Sequence, residues 1–125
     1  MNNPEALKDR LIQHTIDILN LVKKLPKTIE NQVFFEQIIR SSSSIGANYS
    51  EAIYAHSRIE FIHTINISRK EASETIYWLE VIKRANPSYK NDVNVLLEES
   101  ISLLKIFISS IKTAKSKIEN KSHGK

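Results

Sequence analysis

Apolar residues recur at intervals of three and four along most of the chain, which is the spacing of an amphipathic α-helix. The first such stretch is Pro4–Lys24, and Pro26 ends it. The second runs to about residue 55, over Ile29–Ala55, and Thr28 is placed to cap its start. The pattern therefore predicts two helices, joined by a short turn, in this first part of the chain.

A third stretch with the same period follows a signal for a helix start. Ser57 and Glu60 have the S-x-x-E spacing of a capping box, in which each residue satisfies a free backbone amide of the other. Helix 3 is therefore predicted to begin after His56 and to end near Asn86 and Pro87.

The last stretch begins after Ser88 and continues to about Ile118. Four long helices joined by short turns are typical of a helical bundle. We therefore expect an all-α protein, an antiparallel up-and-down four-helix bundle that forms one domain over residues 1–119. Residues 120–125 are expected to form a flexible tail.

Helices 1 and 4 are apolar over more of their circumference than one neighbouring helix would cover. The additional apolar residues are Ile12, Ile16 and Leu19 in helix 1 and Leu96, Ile101, Leu103 and Ile108 in helix 4. They would be buried either between two neighbours inside one bundle or between copies of the chain in an oligomer. The pattern leaves both alternatives open.

Helix 2 contains four consecutive serines and a glycine between residues 40 and 52. Glycine inside a helix costs about 1 kcal/mol relative to alanine, so these small side chains need a reason. If helices 2 and 3 form a hairpin, the numbers of facing residues sum to about 113. Ser41 then faces Ala72 and Ile45 faces Ser68, which predicts a close approach of the two helices.

The same register places Arg40 beside Glu71 and Glu74, in a partly buried ion pair that would fix the register. Asn48 and Glu51 lie about one turn apart and are expected to join this polar network through hydrogen bonds. The alternative is a polar ligand pocket built from these side chains. We favour the structural interpretation because buried polar groups usually satisfy one another.

Composition narrows the classes of function. The chain has no cysteine, which excludes disulfides, thiolate nucleophiles and cysteine-ligated zinc. No apolar run approaches the roughly 20 residues of a membrane span, and the N-terminus lacks a signal-peptide core. A cytoplasmic protein without a membrane partner is therefore expected. The net charge of +4 permits an anionic partner such as nucleic acid.

Two pairs that contain a histidine resemble functional motifs. Glu60 and His63 have the E-x-x-H spacing of di-iron bundles, but such a site needs a second motif and the sequence has none. Arg58 and His63 have the R-x4-H spacing of HEPN-type ribonucleases, which is weak as a lone motif. No serine has a base at a defined spacing. We therefore expect no catalytic residue, no metal ligand and no cofactor.

Basic residues collect at the bundle end where helix 1 begins and helix 4 ends. The candidate nucleic-acid-binding residues are Lys8, Arg10, Lys112, Lys115, Lys117 and Lys121. Arg58 and Lys125 are expected at the same end. Such a patch would attract phosphates. Cations near helix C-termini also complement the helix dipole, so the purely structural interpretation stays open.

Helices 2 and 3 carry a recognisable family signature. The motif R-S-x-x-S-I-x-A-N-Y-x-E-A spans residues 40–52, and F-I-x-x-x-x-I-x-x-K-E-A-x-E-T-x-Y-W-L-E spans residues 61–80. Both motifs resemble the bacterial four-helix bundle proteins of the S23, or 23S rRNA intervening-sequence, family. Ser42 and Ser43 stand where related sequences often have Gly-Thr, which preserves the small size.

The resemblance implies a homo-oligomer in which bundles assemble into pentameric rings. A related protein, the accessory variability determinant of diversity-generating retroelements, binds nucleic acid and the reverse transcriptase. RNA or DNA, and a reverse transcriptase or other protein, are therefore implied partners, and no catalytic residues are implied. We expect a non-enzymatic bundle that binds nucleic acid through its basic ends. The alternative is a protein-interaction scaffold or adaptor that does not bind nucleic acid.

Overall fold

The computed structural model describes residues 3–123 of the chain, with side chains described as far as Asn120. Within that range the protein has four α-helices and no strand, which confirms the predicted all-α class. The helices are α1 (Pro4–Lys24), α2 (Ile29–Ala52), α3 (Arg58–Ala85) and α4 (Lys90–His123), and a short 3-10 helix (Pro87–Tyr89) precedes α4.

Two helix ends differ from their predicted positions. α2 ends at Ala52 rather than Ala55, because the amides of Tyr54 and Ala55 bond to carbonyls only three residues back. α4 continues to His123, beyond the end predicted near Ile118. The bounds of α1 and α3 agree with the sequence pattern.

The start of α3 is capped by the predicted residues in a modified arrangement. The Ser57 hydroxyl oxygen accepts a hydrogen bond from the Glu60 amide at 3.1 Å. The Glu60 carboxylate accepts from the amide of His56, whereas the capping box predicts the amide of Ser57. The Glu60 carboxylate therefore bonds to the amide one residue before the one that a capping box predicts.

The core consists of two apolar clusters, and every helix contributes to both. One cluster includes Ile18, Phe35, Leu79 and Val93, in the order of the helices. The other includes Leu11, Ile45, Ile65 and Phe107, in the same order. The burial of both clusters supplies the main favourable free energy of folding for the bundle.

Buried polar side chains separate these clusters, and we call them the polar layer. They are His14, Ser41, Ser42, Ser68, Thr75 and Ser100, each at most 2% exposed. Ser68 lies between Ile65 and Ala72 of the second cluster, and the other five fall between the residues of the two clusters along their helices. The Ser41 and Thr75 hydroxyls lie 2.8 Å apart, and Ser68 donates to the carbonyl of Ile45 at 2.9 Å. Hydrogen bonds therefore compensate for most of the water contacts that this layer loses, and His14 Nδ1 is the buried side-chain atom that lacks a partner among the described residues.

The small residues of α2 serve two neighbouring helices. The bond from Ser68 to Ile45 joins α2 to α3 in the predicted register. Gly46 instead lies against α1, since a Cβ at this position would be 3.5 Å from the Leu11 Cβ. The Thr15 hydroxyl on α1 also donates to the carbonyl of Ser42 at 3.2 Å. The expectation that these residues pack only against helix 3 is therefore incomplete.

The additional apolar residues of α1 and α4 divide into buried and exposed sets. Leu96 and Leu103 are buried within the bundle, and Leu19 is half-buried. The exposed set is Ile12 at 52%, Ile16 at 43%, Ile101 at 41% and Ile108 at 48%. Among the described residues, none of the helices is long and apolar enough to cross a bilayer.

Candidate nucleic-acid interface

A pocket of about 610 Å³ opens between the start of α3 and the last turns of α4, and we call it the end pocket. It is lined by Arg58, Phe61, Ser109, Ser110, Thr113, Ala114 and Lys117. Two of these side chains are cations and three carry hydroxyls, and all five can donate hydrogen bonds to anionic oxygens.

Helix geometry brings these donors together. Arg58 is the first residue of α3 and follows the Ser57 cap. Ser109, Thr113 and Lys117 are spaced by four residues, so they share one face of α4. The pocket therefore depends on the position of the α3 start beside that face.

The two cations of the end pocket are available to a ligand. Arg58 and Lys117 are exposed, and neither has a carboxylate within ion-pair range in the part of the chain that the structure describes. The start of α3 adds the positive end of a helix dipole. Glu60, in the first turn of α3, offsets part of that charge.

The candidate nucleic-acid-binding lysines do not all line this pocket. Lys117 does, whereas Lys112 and Lys115 are exposed on the last turns of α4 outside it. Lys8 is half-buried on α1. Lys121 belongs to α4, but its side chain lies outside the described residues. The basic end is therefore a pocket with two cations and a set of dispersed lysines.

Arg10 is held by a partner within the bundle. Its Nε donates to Glu99 Oε2 at 2.6 Å, and its Nη2 donates to Glu99 Oε1 and to the Ser102 hydroxyl, both at 2.8 Å. The hydrogen bond to Glu99 is the main reason that the pKa of Arg10 is raised. Arg10 therefore ties α1 to α4 and has fewer donors left for a phosphate.

The sequence gives little indication of the hydroxyl side chains in the end pocket. Thr113 lies one helical turn before Lys117, and Ser109 and Ser110 lie two turns before it. This spacing places them on the same side of a helix. Serines are common along this chain, however, so the spacing gains meaning only when Arg58 is placed opposite them.

The predicted polar network forms in part, on the surface between α2 and α3. Arg40 pairs with Glu71 at 3.4 Å and also with Glu74, whose carboxylate accepts from the Trp78 indole at 3.1 Å. These hydrogen bonds, from Trp78 first and then Arg40, lower the pKa of Glu74. The Arg40 side chain is 48% exposed, so the pair fixes register more than it adds stability.

Two members of the predicted network take other positions. The Asn48 amide donates to the carbonyl of Ser44 at 2.8 Å, within its own helix. Glu51 is exposed. The structure therefore does not assemble Arg40, Asn48, Glu51 and Glu74 into one ligand pocket.

The two histidine motifs find no supporting geometry. The Glu60 carboxylate is engaged with the His56 amide, and His63 is exposed on α3. Among the described residues, no group of three or more His, Cys, Asp or Glu side chains is arranged to hold a metal ion. Arg58 lines the end pocket, whereas His63 does not.

Comparison with known proteins places this architecture in a family. The profile of the family described as 23S rRNA-intervening sequence protein matches residues 7–109. The chain is also similar to a protein of unknown function from the S23 ribosomal protein family of Bacteroides thetaiotaomicron VPI-5482, whose crystal structure has 1.70 Å resolution. The TM-score is 0.76 and the identity 40%, over 84% of this chain and 97% of the other. Among curated proteins, none matches significantly.

Proposed function

Because the chain belongs to the 23S rRNA-intervening sequence protein family, we propose that it binds the phosphate backbone of RNA or DNA in the cytoplasm, without catalysis. The end pocket is the observation that carries this proposal. Arg58 and Lys117 there have no ion-pair partner among the described residues, and three hydroxyls lie beside them. Two cations with additional neutral donors suit a phosphodiester, because its two free oxygens accept from both kinds of group.

We further infer that the helices run antiparallel in up-and-down order and that bundles assemble into a homo-oligomer. The alternating membership of the two core clusters supports the antiparallel order. The exposed residues Ile12, Ile16, Ile101 and Ile108 support contact between copies. The family resemblance favours a pentameric ring, in which one polyanion would meet several end pockets and bind more tightly through multivalency.

Fluorescence anisotropy with a labelled RNA, and with DNA of the same sequence, tests the proposed binding. We expect affinity to fall steeply with salt, and Arg58→Glu with Lys117→Glu to weaken binding by about tenfold or more. Lys70→Glu is the matched control, since Lys70 is exposed on α3 outside the end pocket. Absence of binding at low salt, or an equal loss with the control, would contradict the proposal.

The second candidate function is a protein-interaction scaffold or adaptor. A groove of about 300 Å³ between α1 and α2 favours it, because every side chain that lines it is apolar or small and uncharged. Its lining residues are Leu11, Ile12, Thr15, Ile16, Ser43, Gly46, Ala47 and Ser50. Such a groove suits a helix from a second copy, or from a partner such as a reverse transcriptase. A protein that assembles normally but shows no salt-dependent nucleic-acid binding would favour this function.

A further inference from the structure

The end pocket is larger than a single phosphate group requires. Its volume of about 610 Å³ lies within the range of pockets that enclose small organic ligands, roughly 300–1,000 Å³. A phosphodiester held by Arg58 and Lys117 would fill only a part of this space. The rest of the pocket has room for the sugar and the base that are attached to that phosphate.

Three hydroxyl groups of the end pocket have no partner within the protein. Earlier in α4, Ser100 and Ser102 form hydrogen bonds to side chains of α1. In contrast, Ser109, Ser110 and Thr113 make no hydrogen bond to another residue in the part of the chain that the structure describes. A hydroxyl both donates and accepts hydrogen bonds, and so does the 2′-hydroxyl of ribose. These three groups therefore suit a ribose, whereas arginine and lysine can only donate.

Phe61 gives the end pocket an aromatic wall. This half-buried residue in the first turn of α3 packs against the cluster that contains Phe107, and it also lines the pocket beside Ala114. Nucleobases stack on aromatic side chains with little dependence on sequence. In a duplex the neighbouring bases cover these faces, so only an unpaired base that leaves its stack can reach such a wall.

We propose that the end pocket binds one unstacked nucleotide of single-stranded RNA, which rests on the proposed function and specifies its ligand. Arg58 and Lys117 hold the phosphate of this nucleotide. Ser109, Ser110 and Thr113 lie in the same pocket to bond its 2′-hydroxyl, and the base lies against Phe61.

A nucleotide in the pocket could belong to a strand or be free in solution, and the charge around the pocket favours a strand. Lys112 and Lys115 are exposed on the last turns of α4 outside the pocket. These lysines would attract the phosphates on either side of the bound nucleotide. A free nucleotide has no such neighbouring phosphates.

Competition anisotropy on the full-length protein tests this proposal. The probe is a labelled single-stranded RNA of about ten nucleotides, which is within the usual site size of single-strand-binding proteins. The competitors are the same RNA without the label, its duplex with the complementary RNA, DNA of the same sequence and adenosine monophosphate. We expect the single-stranded RNA to compete at concentrations about fivefold or more below those of the other three, the effect of one lost hydrogen bond or stacking contact.

Phe61→Leu tests the contact with the base. Leucine retains an apolar side chain against the cluster but removes the ring, so we expect affinity for single-stranded RNA to fall about fivefold or more. Affinity for duplex RNA should change less than twofold. Phe34→Leu is the matched control, because Phe34 is also half-buried and does not line the pocket. Circular dichroism checks that both variants retain their helix content.

Ser109→Ala combined with Thr113→Val tests the contact with the ribose. Both changes remove a hydroxyl from an exposed position of α4, so we expect the preference for RNA over DNA to be lost while DNA affinity is retained. Ser116→Ala is the matched control, since Ser116 is exposed on α4 outside the pocket and should retain the preference.

Three results on the unmodified protein would overturn the proposal, whether or not the variants fold. Equal competition by duplex RNA would leave only the proposed binding to the phosphate backbone. Equal competition by DNA would remove the role of the ribose, and equal competition by adenosine monophosphate would indicate a pocket for free nucleotides. An equal loss of affinity in Phe61→Leu and Phe34→Leu would also overturn it. Absence of binding to both single-stranded and duplex RNA at low salt would instead contradict the proposed function as well.

Discussion

Asn31 and Asn86 exchange a reciprocal pair of amide hydrogen bonds, at 2.9 Å and 3.0 Å, between the start of α2 and the end of α3. Their other amide hydrogens donate to the carbonyls of Pro26 and Ile82, at 2.9 Å and 3.0 Å. All four amide donors are satisfied although the two residues are only 2% and 8% exposed. The pair therefore fastens two helices that are connected at their opposite ends.

The contributions of Asn31 and Asn86 to stability should be coupled, because each satisfies the buried amide of the other. Asn31→Ala leaves the buried Asn86 amide without its partner, and we expect a loss of about 2–3 kcal/mol in the free energy of unfolding. The double variant Asn31→Leu with Asn86→Leu should lose less than the sum of the single changes. Urea unfolding followed by circular dichroism measures both, and a loss below about 0.5 kcal/mol in Asn31→Ala would contradict this role.

Stability should fall as the pH drops through the range in which a free histidine titrates. Burial lowers the pKa of His14, and the opposing effects of Glu99 and Asp17 are smaller. The unfolded chain therefore binds the proton first, and the folded state loses stability below about pH 6.5 until its own pKa is passed. Urea unfolding over a pH series measures this loss.

His14→Gln should flatten that pH dependence, whereas His63→Gln should retain it. His63 is the matched control because it is a histidine exposed on α3. An unchanged slope in the folded His14→Gln variant would show that another group is responsible.

Gly46→Ala should stabilise the protein. Gly46 lies inside α2, and a Cβ there would meet the Leu11 Cβ at 3.5 Å, an ordinary van der Waals distance. We expect a gain of about 0.5–1 kcal/mol, because alanine loses less backbone entropy in a helix. Thermal and urea unfolding measure it. A destabilised alanine variant would mean that α1 and α2 approach more closely than this distance.

Arg10 and Lys117 should respond to substitution in opposite ways. Arg10→Gln breaks the hydrogen bonds to Glu99, which should cost about 1 kcal/mol of stability after solvent screening and change RNA affinity less than twofold. Lys117→Glu should leave stability nearly unchanged and weaken RNA binding. Unfolding curves and anisotropy titrations on both variants separate the two roles. A large loss of RNA affinity in Arg10→Gln would indicate that Arg10 contacts the RNA.

The exposed isoleucines of α1 should control assembly. Ile12→Asp with Ile16→Asp places charges in the groove between α1 and α2, so we expect dissociation to monomers with unchanged helix content. Val33→Asp is the control, because Val33 has the same 52% exposure as Ile12 but does not line the groove. Light scattering at tens of micromolar measures the mass, and a monomeric parent protein would refute the proposed oligomer.

The helices can be predicted because the periodic spacing of apolar residues is a local property of the sequence. Proline or capping residues also mark most helix ends. The end of α2 is harder to predict, because residues 53–55 include no proline or glycine, and the helix ends where the amides of Tyr54 and Ala55 bond to carbonyls three residues back. The sequence identifies Lys117 and Arg10 equally as cations. It does not show that Arg10 pairs with Glu99, because the two residues are 89 positions apart. Such contacts depend on the rotation of each helix, which periodicity determines only coarsely.

The polar layer interrupts the apolar packing along the bundle, so we expect the two clusters to open to solvent as separate blocks. Apolar contacts hold each cluster together, whereas the layer between them contains hydrogen bonds that join neighbouring helices, such as Ser41 to Thr75, and water can replace these bonds when a helix loosens. Amides at the two ends of the same helix are therefore expected to exchange with solvent at different rates. Phe61 of the end pocket packs on the block that contains Phe107, so a ligand bound there would slow exchange in that block first.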